Sequence, residues 1–324
     1  MRIVKLGLLV ILIIVVLAGG AAAGYFYVLH PKSRAVVEMK APSTPEAIER
    51  GRYLAMHVTG CLACHSQVDE KSPGEPLVAG REGSGREWPE MPEFPGRIRA
   101  PNLTPDKETG LGNWTDGEIV RAMREGVSRD GRGLFPMMPY MTFATHLSDE
   151  DALAIVAFLR TLKPISNKMA PIEVAFPISM FVRLAPKPVE TPLAAAPAPT
   201  DTLARGRWLL KAMSCSDCHT PSEKGEPLPG KSFAGGGSFD VPGGGGKVYI
   251  PNITSDPATG IGAYSDEDLM RVFSEGVGKA GQKLYFMPWP YIQGLTDADK
   301  KALIAAVREI PPVSNVVPAS TLNR

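Results

Sequence analysis

Two short clusters carry the chemistry of this sequence: Cys61-Leu62-Ala63-Cys64-His65 and Cys215-Ser216-Asp217-Cys218-His219. All 4 cysteines of the chain lie in them, which leaves none for a structural disulfide elsewhere. In Cys-x-x-Cys-His the two thiols reach the vinyl groups along one edge of a haem and form thioethers, and the adjoining histidine points over the ring plane towards the iron. Two other readings compete. A redox dithiol has no use for the following histidine, lacks a surrounding βαβ pattern here, and is not expected twice in one chain. A zinc site would have to join Cys61 to Cys215, 154 positions away, unlike the short spacings of structural zinc ligands. Two covalently bound haem c groups are therefore expected, through Cys61 and Cys64, and through Cys215 and Cys218. His65 and His219 are expected as iron ligands. This attachment is made outside the cytoplasm, so the body of the protein is expected there.

The elements that must hold these clusters appear twice. Arg50-Gly51-Arg52-Tyr53-Leu54 precedes the first cluster as Arg205-Gly206-Arg207-Trp208-Leu209 precedes the second. Pro101-Asn102-Leu103-Thr104 is answered by Pro251-Asn252-Ile253-Thr254, Glu125-Gly126-Val127 by Glu275-Gly276-Val277, and Met138-Pro139 by Met287-Pro288. An internal repeat of this length predicts two tandem domains of one fold, 42–165 and 201–324. The Pro- and Ala-rich segment 166–200 between them reads as a semi-rigid linker. Its apolar stretch Phe176 to Val182 is expected to pack in part against a domain.

Each unit reads as helical. Thr44-Pro45-Glu46 offers an N-cap followed by proline at the first helical position, opening a helix towards Val58. Thr115 to Glu118, Ser148 to Asp151, Ser265 to Asp268 and Thr296 to Asp299 have capping-box spacing. Leu153, Val156, Ala157 and Leu159 share a face of the last helix of the first unit, as Leu303, Ala306 and Val307 do in the second. Those faces are expected against the first helix of their own unit, with Gly51 and Gly206 permitting close approach and Tyr53 and Trp208 filling the crossings.

At the N-terminus, Arg2 and Lys5 precede 24 uncharged residues, Leu6 to Leu29, enough to span a bilayer. Ala21-Ala22-Ala23 also supplies a signal-peptide cleavage pattern. The aromatic run Tyr25, Phe26, Tyr27 favours an uncleaved anchor over residues 1–30. The 35 Lys+Arg and 34 Asp+Glu give a net charge of +1, which offers no electrostatic case for nucleic acid as a partner.

With these motifs in place, Pro101-Asn102-Leu103-Thr104-Pro105-Asp106, Trp114-Thr115-Asp116 and Met138-Pro139-Tyr140 resemble class I cytochrome c domains in the cytochrome subunits of bacterial membrane-bound alcohol and sugar-acid dehydrogenases. The resemblance covers about residues 42 to 324 and implies an all-α fold with His and Met axial ligands. It also implies electron transfer from a dehydrogenase or quinol towards a terminal oxidase. Those subunits commonly carry three haem motifs where this chain has two.

Met138 and Met287 are the candidate sixth ligands, 77 positions after Cys61 and 72 after Cys215. Methionine is a common core filler and the chain has 13, so the argument rests on recurrence at matching places of the repeat. Met137 competes with Met138 but lacks the following proline. His30, His57 and His146 do not recur and read as surface or packing residues. Arg99, Asn102, Trp114, Tyr249 and Asn252 are candidate contacts for haem propionates, with loop architecture as the alternative account. The glycine clusters Gly235 to Gly237 and Gly243 to Gly246, followed by Lys247, lack the Ser or Thr and the preceding strand of a phosphate loop. They read as a flexible loop near the haem edge.

The expectation is a membrane-anchored dihaem electron carrier at the outer face of the cytoplasmic membrane. It would exchange electrons between a membrane dehydrogenase or quinol-oxidising complex and an acceptor such as a terminal oxidase or soluble cytochrome. The alternative is a dihaem redox enzyme of the peroxidase or thiosulfate-oxidising type, with one iron open or differently ligated.

Overall fold

A computed structural model describes residues 2–28, 33–89, 96–223, 225–241 and 245–322. Helix α1 (Arg2–Val28) is apolar, and its span Val4–Gly24 is exposed throughout and long enough to cross a membrane. Such a helix satisfies its own backbone, and from Leu6 onwards it exposes uncharged side chains. The side chains of Tyr25, Phe26 and Tyr27 lie outside the described part, as do residues His30 and Lys32.

The remaining helices follow one order twice. The first half has α2 (Pro45–Tyr53), a π-helical turn (Leu54–Val58), α3 (Cys61–His65), α4 (Asp116–Glu125), α5 (Tyr140–His146) and α6 (Asp149–Thr161). After α7 (Ile178–Val182), the second half has α8 (Thr202–Ala212), α9 (Cys215–His219), α10 (Asp266–Glu275), α11 (Trp289–Ile292) and α12 (Asp297–Arg308). Thr115, Ser148, Ser265 and Thr296 each cap a helix, with the side-chain oxygen accepting the backbone N–H three residues on. Only the boxes at Thr115 and Ser265 close reciprocally. Asp151 and Asp299 instead accept from Arg50 and Arg205 of the first helices, so these carboxylates tie each unit's first helix to its last.

The glycines set how close those helices come. A Cβ on Gly51 would lie 1.7 Å from the Ala154 carbonyl oxygen, and one on Gly206 would lie 1.9 Å from that of Ala302. Any side chain there drives α2 off α6, or α8 off α12. Around the crossings Leu54, Leu62, Ile155, Val156, Leu209 and Leu303 are fully buried, each worth about 1.5–3 kcal/mol. The π turn has a simple origin: Cys61 follows Gly51 by ten positions, whereas Cys215 follows Gly206 by nine. The extra residue is absorbed as a bulge, seen in the bond from Thr59 N–H to the Leu54 carbonyl, 2.8 Å, five residues back. Crossing and haem motif thereby keep the same relation in both halves.

The helices do not account for the whole chain, which corrects the all-α expectation. Ser238–Val241 pairs antiparallel with Gly246–Tyr249, which also pairs with Thr321–Leu322. Pairs of two-residue strands join Arg86–Glu87 to Arg99–Ala100 and Gly96–Arg97 to Glu173–Val174. Part of the second glycine cluster thus belongs to a hairpin; Gly243 and Gly244 lie outside the described residues. The Glu173–Val174 pairing also lays the linker along the first half, and Gly133 packs against Val182, Arg183 and Pro186. Phe176 and Phe181 nevertheless face outwards, 69% and 61% exposed, so within this stretch the contact comes from Val182.

Tyr53 and Trp208 do not fill the crossings within their own units. They face the opposite half, because each sits on the side of its helix turned away from α6 or α12. Tyr53 donates to Asp299 Oδ2 at 2.6 Å, and Trp208 Nε1 donates to the His146 carbonyl at 2.8 Å. α5 packs on α8, and the π turn packs on α11. His57 is part of this seam, its Nδ1 2.7 Å from the Tyr291 carbonyl and its ring over Gly294.

Candidate haem-attachment sites

Each Cys-x-x-Cys-His motif forms one short helix, α3 or α9, entered through a residue in the left-handed region: Gly60 at φ 63° and Ser214 at φ 53°. The first cysteine of each motif turns towards the core and the second is exposed. Burial pushes the Cys61 thiol up to about 11 and the Cys215 thiol up to about 12. Both are thus buried, protonated thiols rather than the activated thiolates of an attacking dithiol. Among the described residues no three His, Cys, Asp or Glu side chains converge as a metal site. Burial also raises the Cys64 thiol, opposed by the Arg86 guanidinium.

Both motif histidines are oriented in one way. His65 Nδ1 lies 2.8 Å from the Pro101 carbonyl, and His219 Nδ1 lies 2.9 Å from that of Pro251. A carbonyl only accepts, so Nδ1 carries the proton and Nε2 keeps its lone pair for a metal. Burial holds both imidazoles below their usual pKa, against the pull of these carbonyls, so they are neutral at pH 7. This is the protonation state an iron ligand needs.

The Pro-Asn segment presents that carbonyl. Asn102 Nδ2 donates to Thr109 Oγ1 at 3.0 Å and to the Ile165 carbonyl at 2.7 Å, while its Oδ1 accepts from Thr104 N–H and Oγ1. Asn252 repeats the set with Thr259, Val313 and Thr254. Both amide hydrogens are spent on protein in each case. These asparagines are therefore loop braces, the architectural account, rather than propionate donors. Arg99 gives its terminal nitrogens to Glu87, Glu173 and the Pro171 carbonyl, while its buried Nε meets no acceptor among the described residues. Trp114 is half-buried against the core, and Tyr249 is half-buried at the end of its strand. The role of Pro101 and Pro251 was missed from sequence because the acting group is a backbone carbonyl; the recurrence of Pro-Asn was the available signal.

Met138 and Met287 lie in loops of matching construction. Leu134 N–H bonds the Gly126 carbonyl at 2.7 Å as Leu284 N–H bonds that of Gly276 at 2.8 Å. Tyr140 and Trp289 N–H bond the carbonyls of Met138 and Met287, both at 2.7 Å. Both methionines are half-buried against the core, whereas Met137 is 49% exposed. The residues two after each methionine, Tyr140 and Trp289, pack their rings on Gly126 and Gly276. Tyr140 Oη and Trp289 Nε1 are buried and meet no acceptor among the described residues. An indole N–H can only donate, so a group bearing acceptors is called for, and the carboxylates of a haem fit.

Residues 48–163 match the cytochrome c family. The chain is 31% identical over 237 residues to the cytochrome c subunit of the quinone alcohol dehydrogenase of Gluconobacter oxydans, covering 71% of this chain and 47% of that protein. It is 30% identical over 275 residues to the fructose dehydrogenase cytochrome subunit of Gluconobacter japonicus, covering 82% and 53%. It thus spans about half the length of these curated relatives. A protein named diheme cytochrome c-type from Cereibacter sphaeroides is 30% identical over 265 residues, covering 78% of this chain and 83% of its own length.

Proposed function

The chain belongs to the cytochrome c family, and from that premise we propose that it is a dihaem electron carrier held to the cytoplasmic membrane by α1, with both haem units at the outer face. The observation that carries this reading is the pair of matched histidines, each with Nδ1 committed to a carbonyl and Nε2 left for iron. Cys61, Cys64, Cys215 and Cys218 would hold two haems as thioethers, with His65, His219, Met138 and Met287 as the ligands that would bind the irons. Bound there, each haem supplies a one-electron ferric/ferrous couple, and thioether ligation favours the ferrous state.

The chain's own residues set the conditions for that couple. The Pro101 and Pro251 carbonyls fix the imidazole tautomer; Met138 and Met287 would supply the second ligand to each iron, and Tyr140 and Trp289, with Trp114 and Tyr249, would contact the haems. Residues 42–165 and 201–324 act as two domains and 166–200 as the linker along the first. The partners are a membrane dehydrogenase or quinol-oxidising complex as donor and a terminal oxidase or soluble cytochrome as acceptor. The alcohol and fructose dehydrogenase subunits among the relatives support the first of these.

Membranes carrying the full-length protein test the reading. Two haem c per chain, reduced on addition of a quinol or a dehydrogenase substrate and reoxidised by the terminal acceptor, are expected. Haems that no membrane donor reduces would contradict it.

A further inference from the structure

Met287 is bracketed by contacts that come from the other half of the molecule. Two residues before it, the Tyr285 carbonyl accepts from Gly74 N–H at 2.6 Å, and Tyr285 Oη donates to the Glu70 carbonyl at 3.2 Å. Two and three residues after it, Trp289 and Pro290 press on Gly74, where a Cβ would lie 2.6 Å from Trp289 Nε1 and 2.5 Å from Pro290 Cδ. Tyr291 Oη donates to the Glu75 carbonyl at 3.1 Å, and the Tyr291 carbonyl meets His57. The loop making these contacts is itself fixed: buried Arg86 reaches Glu75 at 2.9 Å and Glu70 at 3.4 Å, with its guanidinium over Trp88. Gly74 stands at φ 80°, where other residues are strained.

We propose that the 70–75 loop of the first half is a clamp that positions Met287 as a ligand in the second half, with Gly74 and Tyr291 as the positioning residues. A thioether ligand on a loop stays on the metal only as long as the loop's alternatives are disfavoured. Here the restraint is supplied from outside the domain that binds the iron. The state of the second centre therefore depends on the fold of the first. This inference rests on Met287 being the ligand.

The test uses full-length holoprotein carrying Met138→Ala, in which only Met287 can give the sulfur-to-iron charge-transfer band of the oxidised form. Adding Gly74→Ala is expected to abolish or strongly weaken that band, and adding Tyr291→Phe to raise the rate of cyanide binding roughly tenfold, about what one lost hydrogen bond confers. Gly80→Ala is the control. Gly80 has the same kind of backbone at φ 75° but nothing within 4 Å of a Cβ, so it carries the strain without the contact and should leave the band intact. A band unchanged by Gly74→Ala, a cyanide rate unchanged by Tyr291→Phe, or a band lost equally with Gly80→Ala overturns the clamp. Adding Met287→Ala in place of these separates the two claims: a band surviving that change refutes the ligand assignment itself.

Discussion

The loops of Met138 and Met287 share their turns, their proline and their bonds to the preceding glycine, and the second is gripped by the other half on both sides, through Tyr285 to Gly74 and through Pro290 and Tyr291 to Gly74 and Glu75. Counting on from Leu134 and Leu284, Tyr285 is matched by Phe135, while after the Met-Pro pairs Pro290 and Tyr291 are matched by Met141 and Thr142, and Met141 is 56% exposed. Its helix α5 is held across the seam at the far end, where the His146 carbonyl accepts from Trp208. Matched local geometry thus presents Met138 and Met287 with different contacts across the seam. A duplicated unit can diverge through residues that touch neither methionine.

The ion pairs behind the helix crossings differ in the same direction. Arg205 reaches Asp299 with two bonds of 2.8 Å, both side chains are buried, and Tyr53 adds a third donor. Arg50 reaches Asp151 through Nε at 2.9 Å with its side chain 35% exposed, and Asp151 Oδ2 has no partner among the described residues. Tyr53 of the first half completes the Asp299 pair, whereas its counterpart Trp208 goes to the His146 carbonyl.

Removing one partner of the buried pair is the largest way to break the comparison. Arg205→Ala is expected to cost about 3–5 kcal/mol, and Arg50→Ala about 1 kcal/mol or less, by thermal or denaturant unfolding. Similar losses would deny the difference in restraint. The pH dependence follows in sign. Burial works to raise the Asp299 pKa, but the hydrogen bonds from Arg205 and Tyr53 outweigh it and the folded value lies below the usual one. Its stabilisation is therefore complete above the ordinary carboxylate range and is lost as pH falls through the depressed folded value, a loss that Asp299→Asn should remove.

The asparagine braces should behave alike in both halves. Asn102→Ala and Asn252→Ala are each expected to cost about 1–3 kcal/mol by leaving buried loop groups unpaired. If either shifted a haem potential with little loss of stability, the propionate account would return for that residue. The smallest expected effect lies at the entry to the motifs. Ser214→Gly should stabilise the second half by about 1 kcal/mol, and Gly60→Ser should destabilise the first by a similar amount, because only glycine takes the left-handed region freely. Calorimetry of the paired variants measures both.

What the sequence made legible were features with local causes. The Cys-x-x-Cys-His clusters, the repeat, the four caps and the two crossing glycines follow from spacing and from what single residue types can do. The strands escaped because most are two residues long, below any periodic signal. The seam escaped because Tyr53 and Asp299, or Gly74 and Tyr285, are brought together by the fold alone. The one-residue difference between Gly51–Cys61 and Gly206–Cys215 was visible, but its meaning as a π turn needed the constraint that crossing and motif keep one relation.

The ligation state of both irons in the oxidised full-length protein, by optical and EPR spectra with and without cyanide, tests the central claim most directly. The account predicts two low-spin His/Met centres that resist the ligand, with the Met138 centre the first to yield as cyanide is raised. A high-spin iron, or a low-spin iron without the sulfur band, would contradict it and make a catalytic dihaem protein the better reading.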